Sequence, residues 1–360
     1  MKVFFCASGY MGCYYVRCMI PMMANGWNGS HHGVSSKSLK PSHLVMKQML
    51  DSDVIVFHRA NTNWHHRVGM ILKEAGKKVV FDNDDTVLLD ESHAFNQLDE
   101  RGFLQNKKKM NNVINNFILN SDLVTASTET LANEYRKTNP NVVVLPNCVN
   151  PEDWPTEPLK NETDVVRIGL IGSSAYHCDF EPLQDLIRKL SHDKRVQLVL
   201  FGLHSREKRG NNPLVDKVHY KEYKFWDTIT NLEHVSWCPM ENYIDELEQL
   251  KLDMVIITRR DNYFNKCKSN VKYLECSMME IPVIAQGFPD GAYNDLNGEN
   301  GILIKDNKDW EKEIMRLVED KDLRHKIGKQ AREYVLNNYN IALHAHKWVE
   351  AYQQLCQPEK

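Results

Sequence analysis

Two successive doubly wound α/β units account for this sequence, and three observations predict them. Short apolar runs of strand length alternate with amphipathic segments of helical length, and the alternation runs through two blocks. Between the blocks, Pro146, Pro151, Pro155 and Pro158 lie among polar residues, the composition of a linker. At 360 residues the chain is long enough for two cores.

The first block opens with a strand, Val3 to Ala7, followed by a Gly-bearing turn, 8–12, and an amphipathic segment from Tyr14 to Met23. Met1 to Ala7 reads as a strand rather than a signal peptide. Gly12 would let backbone approach a ligand closely, with a plain structural turn as the alternative. Residues 25–43, rich in Gly, Ser, His and Asn, read as a loop, with His31 and His32 a solvated pair. Strands follow at Asp53 to His58, Val79 to Phe81, Leu123 to Ala126 and Val142 to Leu145. Helices fall at Trp64 to Glu74, Gln105 to Leu119 and Thr130 to Lys137; Gly76 caps the first, and Lys107 to Lys109 face solvent. Asp82-Asn83-Asp84-Asp85 ends the third strand, where an acidic cluster can hold a metal or a ligand hydroxyl; ordinary loop residues are the plain alternative.

The second block restarts the pattern. Arg167 to Ile171 is a strand, Gly172-Ser173-Ser174 a tight turn and Phe180 to Leu190 a helix. Val196 to Phe201 is a strand and 202–220 a polar loop. Glu241 to Leu250 is a helix that feeds a buried strand, Met254 to Ile257. Val283 to Ala285 and Gly301 to Ile304 are short apolar runs, and helices at Trp310 to Val318, Leu323 to Leu336 and Ala342 to Leu355 complete the chain.

Composition narrows the function. The net charge of −3 is no polycation signature. It divides as +3 over 1–150 and −6 over the remainder, a mild bias of the first half toward an anionic partner. Nine Cys show no Cys-x-x-Cys pair, so free, mostly buried thiols and a cytoplasmic, reducing location are expected, without a zinc site. No apolar run reaches the ~20 residues that a membrane-spanning helix needs.

One stretch carries the most chemistry. Asn265 to Glu275 lies just after the Met254 strand, opens polar and cationic, and turns helical. In open α/β sheets ligands bind at the carboxyl ends of strands, and a helix N-terminus presents unpaired N–H groups to phosphate. Lys268 and Lys272, four apart, read as one cationic helix face. Glu275, three residues further on, can accept hydroxyl hydrogen bonds. Asn265, Ser269 and Asn270 offer further polar groups. The ligand this describes is phosphorylated and rich in hydroxyls, such as a nucleotide sugar; the plain alternative is a surface helix with a Lys–Glu pair.

The order of segments resembles the GT-B-fold retaining glycosyltransferases of family 4, also called group 1. The resemblance rests on Lys272-Tyr273-Leu274-Glu275, Pro282-Val283-Ile284-Ala285 and Gly298-Glu299-Asn300-Gly301-Ile302-Leu303, and continues through Leu323-Arg324, Ile327-Gly328 and Ala331-Arg332. Tyr15-Val16-Arg17, Phe81 to Asp85, Ser127 to Leu131, Leu145-Pro146-Asn147 and Ile168 to Ser173 with His177 and Asp179 also fit it.

The resemblance implies a GT-B architecture: two Rossmann-like doubly wound domains facing a cleft. Residues 1–155, joined by a last helix in 341–360, would bind the acceptor, and 156–340 the donor. The donor implied is a UDP- or GDP-sugar, with no tightly bound metal, and transfer to an acceptor hydroxyl retains configuration. Glu275 matches the second acid of the family's paired-Glu motif and would grip the donor ribose. The position of the first acid holds Cys267, so Lys268 is expected to substitute. Lys268, Lys272 and Asp85 are the expected catalytic residues; Gly12, Gly172, Ser173, His177, Asn265, Ser269, Asn270 and Glu275 are expected to bind the donor. Arg259 and Arg260 are further candidates for phosphate, with an exposed basic pair as their plainer reading. A glycan or small molecule is the expected acceptor. Hydroxylated bases of DNA are the alternative, compatible with Lys107 to Lys109, Trp64, His65 and His66. A non-catalytic sugar-nucleotide-binding protein and a nucleotide-sugar epimerase are the competing classes.

Overall fold

Continuous apolar runs, not alternating ones, mark strands buried on both faces, and these runs build two parallel sheets. The computed structural model describes residues 1–7, 12–30, 42–86, 102–172, 174–202 and 224–357; it does not describe the side chains of residues 30, 102–110 and 174–178. The first sheet comprises β1 (Val3–Ala7), β2 (Asn28–Ser30), β3 (Val54–His58), β4 (Lys78–Asn83), β5 (Leu123–Ala126) and β6 (Val142–Val144), in the order β2-β1-β3-β4-β5-β6. The second comprises β7 (Val166–Ile171), β8 (Val196–Phe201), β9 (Leu232–Val235), β10 (Met254–Ile257), β11 (Val283–Gln286) and β12 (Ile302–Ile304), in the order β12-β11-β10-β7-β8-β9. Every β1, β3, β5 and β10 residue is buried.

Side chains alternate across each sheet and so fill a core on either face. In the second sheet, Ile168, Leu170, Leu198 and Leu200 enter one core; Ile171, Val199 and Phe201 enter the other. In the first, Phe4 and Cys6 face Phe57, Phe81 and Phe117, while Val3, Phe5 and Ala7 face Trp348 and Tyr352. Thus the last helix, Ile341–Cys356, packs against the first sheet although it follows the second in sequence. The chain crosses between the sheets twice at one place: Val149 N–H donates to the Tyr339 carbonyl, and Ile341 N–H to the Val149 carbonyl, both at 2.9 Å.

Side-chain caps fix the helix starts. Thr62, Thr128 and Asp320 each accept from the backbone N–H three residues on, ahead of Asn63–Glu74, Glu129–Arg136 and Lys321–Asn338. Gly328 lets the last of these lie directly on the chain below it. A Cβ there would sit 2.1 Å from the Glu280 carbonyl oxygen.

Some segments differ from expectation. Asn28–Ser30, placed in a loop by composition, forms an edge strand beside β1, and a helix begins at His43. Leu232–Val235 adds an edge strand beside β8. The helix expected from Phe180 starts as a 3₁₀ turn, Ser174–Leu183, because Pro182 cannot donate to a regular α-helix; Gln184–Ser191 continues it as α-helix. His31, His32 and the loop after Gly202 lie outside the described residues.

Candidate functional site

Strand order fixes where a site can form. The first sheet reverses between β1 and β3, and the second between β7 and β10. A crevice opens at the carboxyl ends of strands flanking such a reversal. Here the two crevices face each other across a cavity of about 280 Å³. Gly12 and Cys13, after β1, and Arg59, after β3, line it from one side; Ile171 and Gly172, ending β7, and Arg259, after β10, line it from the other.

The stretch around residue 268 forms the second-sheet wall. Its helix starts at Val271, with Asn270 as the preceding cap residue. Lys268 therefore lies in the bend before the helix, not on one helical face with Lys272. The Lys268 ammonium sits 4.1 Å from the centre of the Phe264 ring and is 2.9 Å from Asp85 Oδ2 across the cleft. Half-buried Lys272 donates to the Ile171 carbonyl. Loss of solvent and the neighbouring Arg259 hold its ammonium well below the usual lysine range. Glu275 accepts from the Tyr243 hydroxyl at 2.8 Å. Burial pushes its carboxyl up to about 7, against the opposing pull of Tyr243 and Lys272.

Asp84, Asp85 and Arg59 form the first-sheet wall. Arg59 takes a left-handed backbone conformation, φ 55°, uncommon for a residue with a Cβ. Its guanidinium is 3.1 Å from Asp85 Oδ1. Burial raises the Asp85 carboxyl, but Lys268 and Arg59 outweigh it and hold it down at about 2. Behind this wall lies a buried polar network. Asp82 accepts from Arg17 (2.6 and 3.1 Å) and from the Thr125 hydroxyl (2.6 Å), and pairs with His58 Nδ1 (3.0 Å). Arg17 also donates to Asn147 Oδ1 (3.1 Å), whose amide nitrogen donates to Ser269 Oγ (2.9 Å). A continuous chain of hydrogen bonds thus runs from the β3–β4 core to the mouth of the second-sheet helix.

Of the expected site residues, Gly12, Asp85, Gly172, Lys268, Ser269, Lys272 and Glu275 line the cavity. Asn265 turns away from it: its amide nitrogen donates to Asp179 Oδ1 (2.8 Å) and to the Arg260 carbonyl (3.0 Å). Asn270 is buried as the cap residue of its helix. Ser173 and the His177 side chain lie outside the described residues. Arg259 is not half of an exposed pair. It is buried at the cavity edge, with its guanidinium 3.4 Å from Asp179, because it follows the central strand β10 directly into the crevice. Sequence reading missed Arg59, Trp237 and Tyr243, all lining residues. The signal for Arg59 was its place one residue past a central strand; Trp237 stands two residues past β9, a strand the sequence pattern did not reveal. Cys267, which replaces an expected acid, is fully buried with Leu131 and Tyr135 in a core of the first sheet.

Two facing crevices on two parallel sheets define the GT-B fold. Residues 181–350 match the model of a family described as glycosyl transferase-like. The chain superposes on Anabaena HepE, solved with UDP and glucose, with a TM-score of 0.67 at 14% identity, over 98% of this chain and 99% of that one. Sucrose-phosphate synthase from Thermosynechococcus elongatus gives 0.65 at 12% identity, over 99% of each chain. An α-glucosyltransferase solved with UDP and a 13-mer DNA containing an HMU base gives 0.65 at 12% identity, over 98% and 99%. No curated protein matches the chain.

Proposed function

We propose that the chain is a glycosyltransferase that moves a sugar from a nucleotide-diphosphate sugar to an acceptor hydroxyl with retention of configuration. One observation carries the reading: Lys268, Lys272, Arg259 and Glu275 converge from the second sheet on a cavity whose opposite wall carries Asp84 and Asp85. Cations of that kind meet a diphosphate, and a carboxylate meets ribose hydroxyls. UDP is the first nucleotide to test, because HepE has been solved with UDP and with UDP-glucose. Residues 156–340 hold the donor; residues 1–155 with the last helix hold the acceptor.

The roles follow from position. Glu275 accepts from the ribose hydroxyls. Ser269 and Gly172, which line the cavity, meet the phosphates, with Asn270 as the cap residue of the helix behind them and Asn265 holding the bend in place through Asp179; Ser173 and His177 keep the donor-binding role that the resemblance implies. Trp237, 51% exposed and lining the cavity, offers a stacking face for the base. The acceptor hydroxyl attacks on the face from which the nucleotide departs. Lys268, already an ammonium beside Asp85, takes up the negative charge that grows on the leaving phosphate with little reorganisation, and Lys272, whose charged form burial disfavours, gains its proton as the phosphate anion arrives. Asp85, released by Lys268 as phosphate binds, orients the acceptor hydroxyl.

The test is thermal stabilisation by a panel of UDP- and GDP-sugars, followed by the stabilising donor with candidate acceptors and product mass by mass spectrometry. A ligand at a hundred times its Kd adds about 2.7 kcal/mol of stability. Silence across the panel would sink the reading. Binding without turnover points to a non-catalytic sugar-nucleotide binder, and free isomerised sugar to an epimerase. The acceptor panel includes duplex DNA with hydroxymethylated pyrimidines, since one structural neighbour was solved with such a DNA. Transfer to DNA that falls steeply with added salt selects that acceptor.

A further inference from the structure

We propose that Cys13, His58 and Asp84 form a binding site for a divalent transition-metal ion of the zinc type on the first-sheet wall of the cleft. One ligand atom from each residue lies within 4.8 Å of the other two. A tetrahedral zinc site holds its donors about 3–4 Å apart, given bonds of roughly 2.0–2.3 Å. Binding therefore draws the three atoms in by at most about 1–2 Å, within the reach of small side-chain rotations.

Two further observations point to a ligand here. Asp84 Oδ1 is buried without a hydrogen-bond partner among the described residues, and buried His58 Nε2 meets no nitrogen or oxygen partner there, the Cys13 thiol being the group that His58 faces on this side. His58 itself is only 2% exposed. A buried polar atom left unsatisfied is costly, and a bound cation would satisfy both at once. The other imidazole nitrogen, Nδ1, pairs with the Asp82 carboxylate at 3.0 Å. That is the outer-shell arrangement that orients a metal-binding histidine and strengthens it as a donor. Asp82 is held in turn by Arg17 and Thr125. Arg59 donates to Cys13 Sγ at 3.0 Å, while its own charge is met by Asp85.

The donor set indicates the ion. Thiolate with imidazole selects zinc-like ions over magnesium or calcium, which prefer oxygen. Three protein ligands leave the fourth tetrahedral position for an oxygen ligand. Cys13 and Asp84 both line the cavity, so that position opens on the cleft. Cys13 binds as thiolate and His58 through a deprotonated Nε2, so binding releases protons to solvent. The site departs from the metal-free donor binding that the family resemblance implies, and it stands independently of the transferase reading.

The test uses the full chain, stripped with chelator and titrated with Co²⁺ alone, with no nucleotide sugar present. The expected result is one equivalent bound, a thiolate-to-cobalt charge-transfer absorption, and displacement of both by Zn²⁺. Cys13→Ser should abolish that absorption, and Asp84→Asn should weaken Co²⁺ at least about tenfold, the lower end of what a supporting group alone costs. Both residues lie at the cavity surface, so both variants should keep the wild-type circular dichroism. No binding, binding without the thiolate band, or a band that persists in Cys13→Ser would overturn the proposal.

Discussion

Lys268 and Asp85 meet across the cleft: the ammonium of one lies 2.9 Å from a carboxylate oxygen of the other, and both side chains are largely shielded from solvent. The contact joins the two sheets through one charge pair. In the proposed reaction an arriving diphosphate offers Lys268 a stronger anionic partner, while Asp85 keeps Arg59. Lys268→Ala is therefore expected to lower turnover at saturating donor by about 10²–10³, the usual loss when one preorganised donor to a developing charge is removed. The fold should persist, since Asp85 retains a cationic neighbour. Steady-state transfer rates together with circular dichroism check this; near-normal turnover would remove Lys268 from the site.

Glu275 gives the proposed donor site a pH signature. Its carboxyl titrates at about 7 in the folded protein, raised by burial, against an ordinary value of 4.5. Only the ionised form accepts two ribose hydroxyls. Donor affinity should be full above pH 7 and fall as pH drops through that value. Stability runs the other way. Folding favours the protonated acid, so this group's contribution is fully present below 4.5 and is lost as pH rises through 7. Glu275→Gln should flatten both trends and weaken the donor about tenfold, the worth of one charge-assisted hydrogen bond. Calorimetry and thermal melts from pH 5 to pH 8 read the two trends separately.

Arg17 and Asp82 test the network behind the site. Neither is exposed, and Arg17 meets Asp82, the Leu145 carbonyl and Asn147 together. Replacing one partner leaves a buried charge uncompensated, a loss of about 3–5 kcal/mol. Arg17→Met should lower the urea midpoint by that energy divided by an unchanged m-value, the mark of lost stability rather than altered compactness.

Sequence made the sheets legible because buried parallel strands are continuous apolar runs. Met254–Ile257 and Val54–His58 announce themselves that way. Asn28–Ser30 and Leu232–Val235 do not, because edge strands pair on one side only and need no apolar run. The cavity wall was legible where it follows a recognised strand, as at Gly12, Gly172 and Lys268. What periodicity cannot show is which side chain turns inward. Adjacent residues Arg259 and Arg260 differ in this: the first is buried at the cavity, and the second reaches toward exposed Glu181. The Asp82 network was equally hidden, because Arg17, His58, Asp82 and Asn147 meet only once four separate segments have packed.

Cys267 shows why an expected acid is missing. In this chain its side chain packs into the first-sheet core that also holds Leu131 and Tyr135 and has no exposure at all, although it lies one residue before Lys268. Its thiol is pushed up to about 11, chiefly by burial, so it is uncharged at neutral pH. A carboxylate there would lose its solvent and lie near Glu134. Cys267→Glu, which restores the expected acid, should therefore destabilise the protein by at least about 2 kcal/mol, the cost of burying a carboxyl that only the Tyr263 hydroxyl meets. It should not raise transfer. Cys267→Ala removes only a small apolar contact and should cost about 1 kcal/mol. Urea unfolding of the two variants, with transfer assayed on each, separates the readings: a stable, faster Cys267→Glu would show that the side chain reaches the sugar after all.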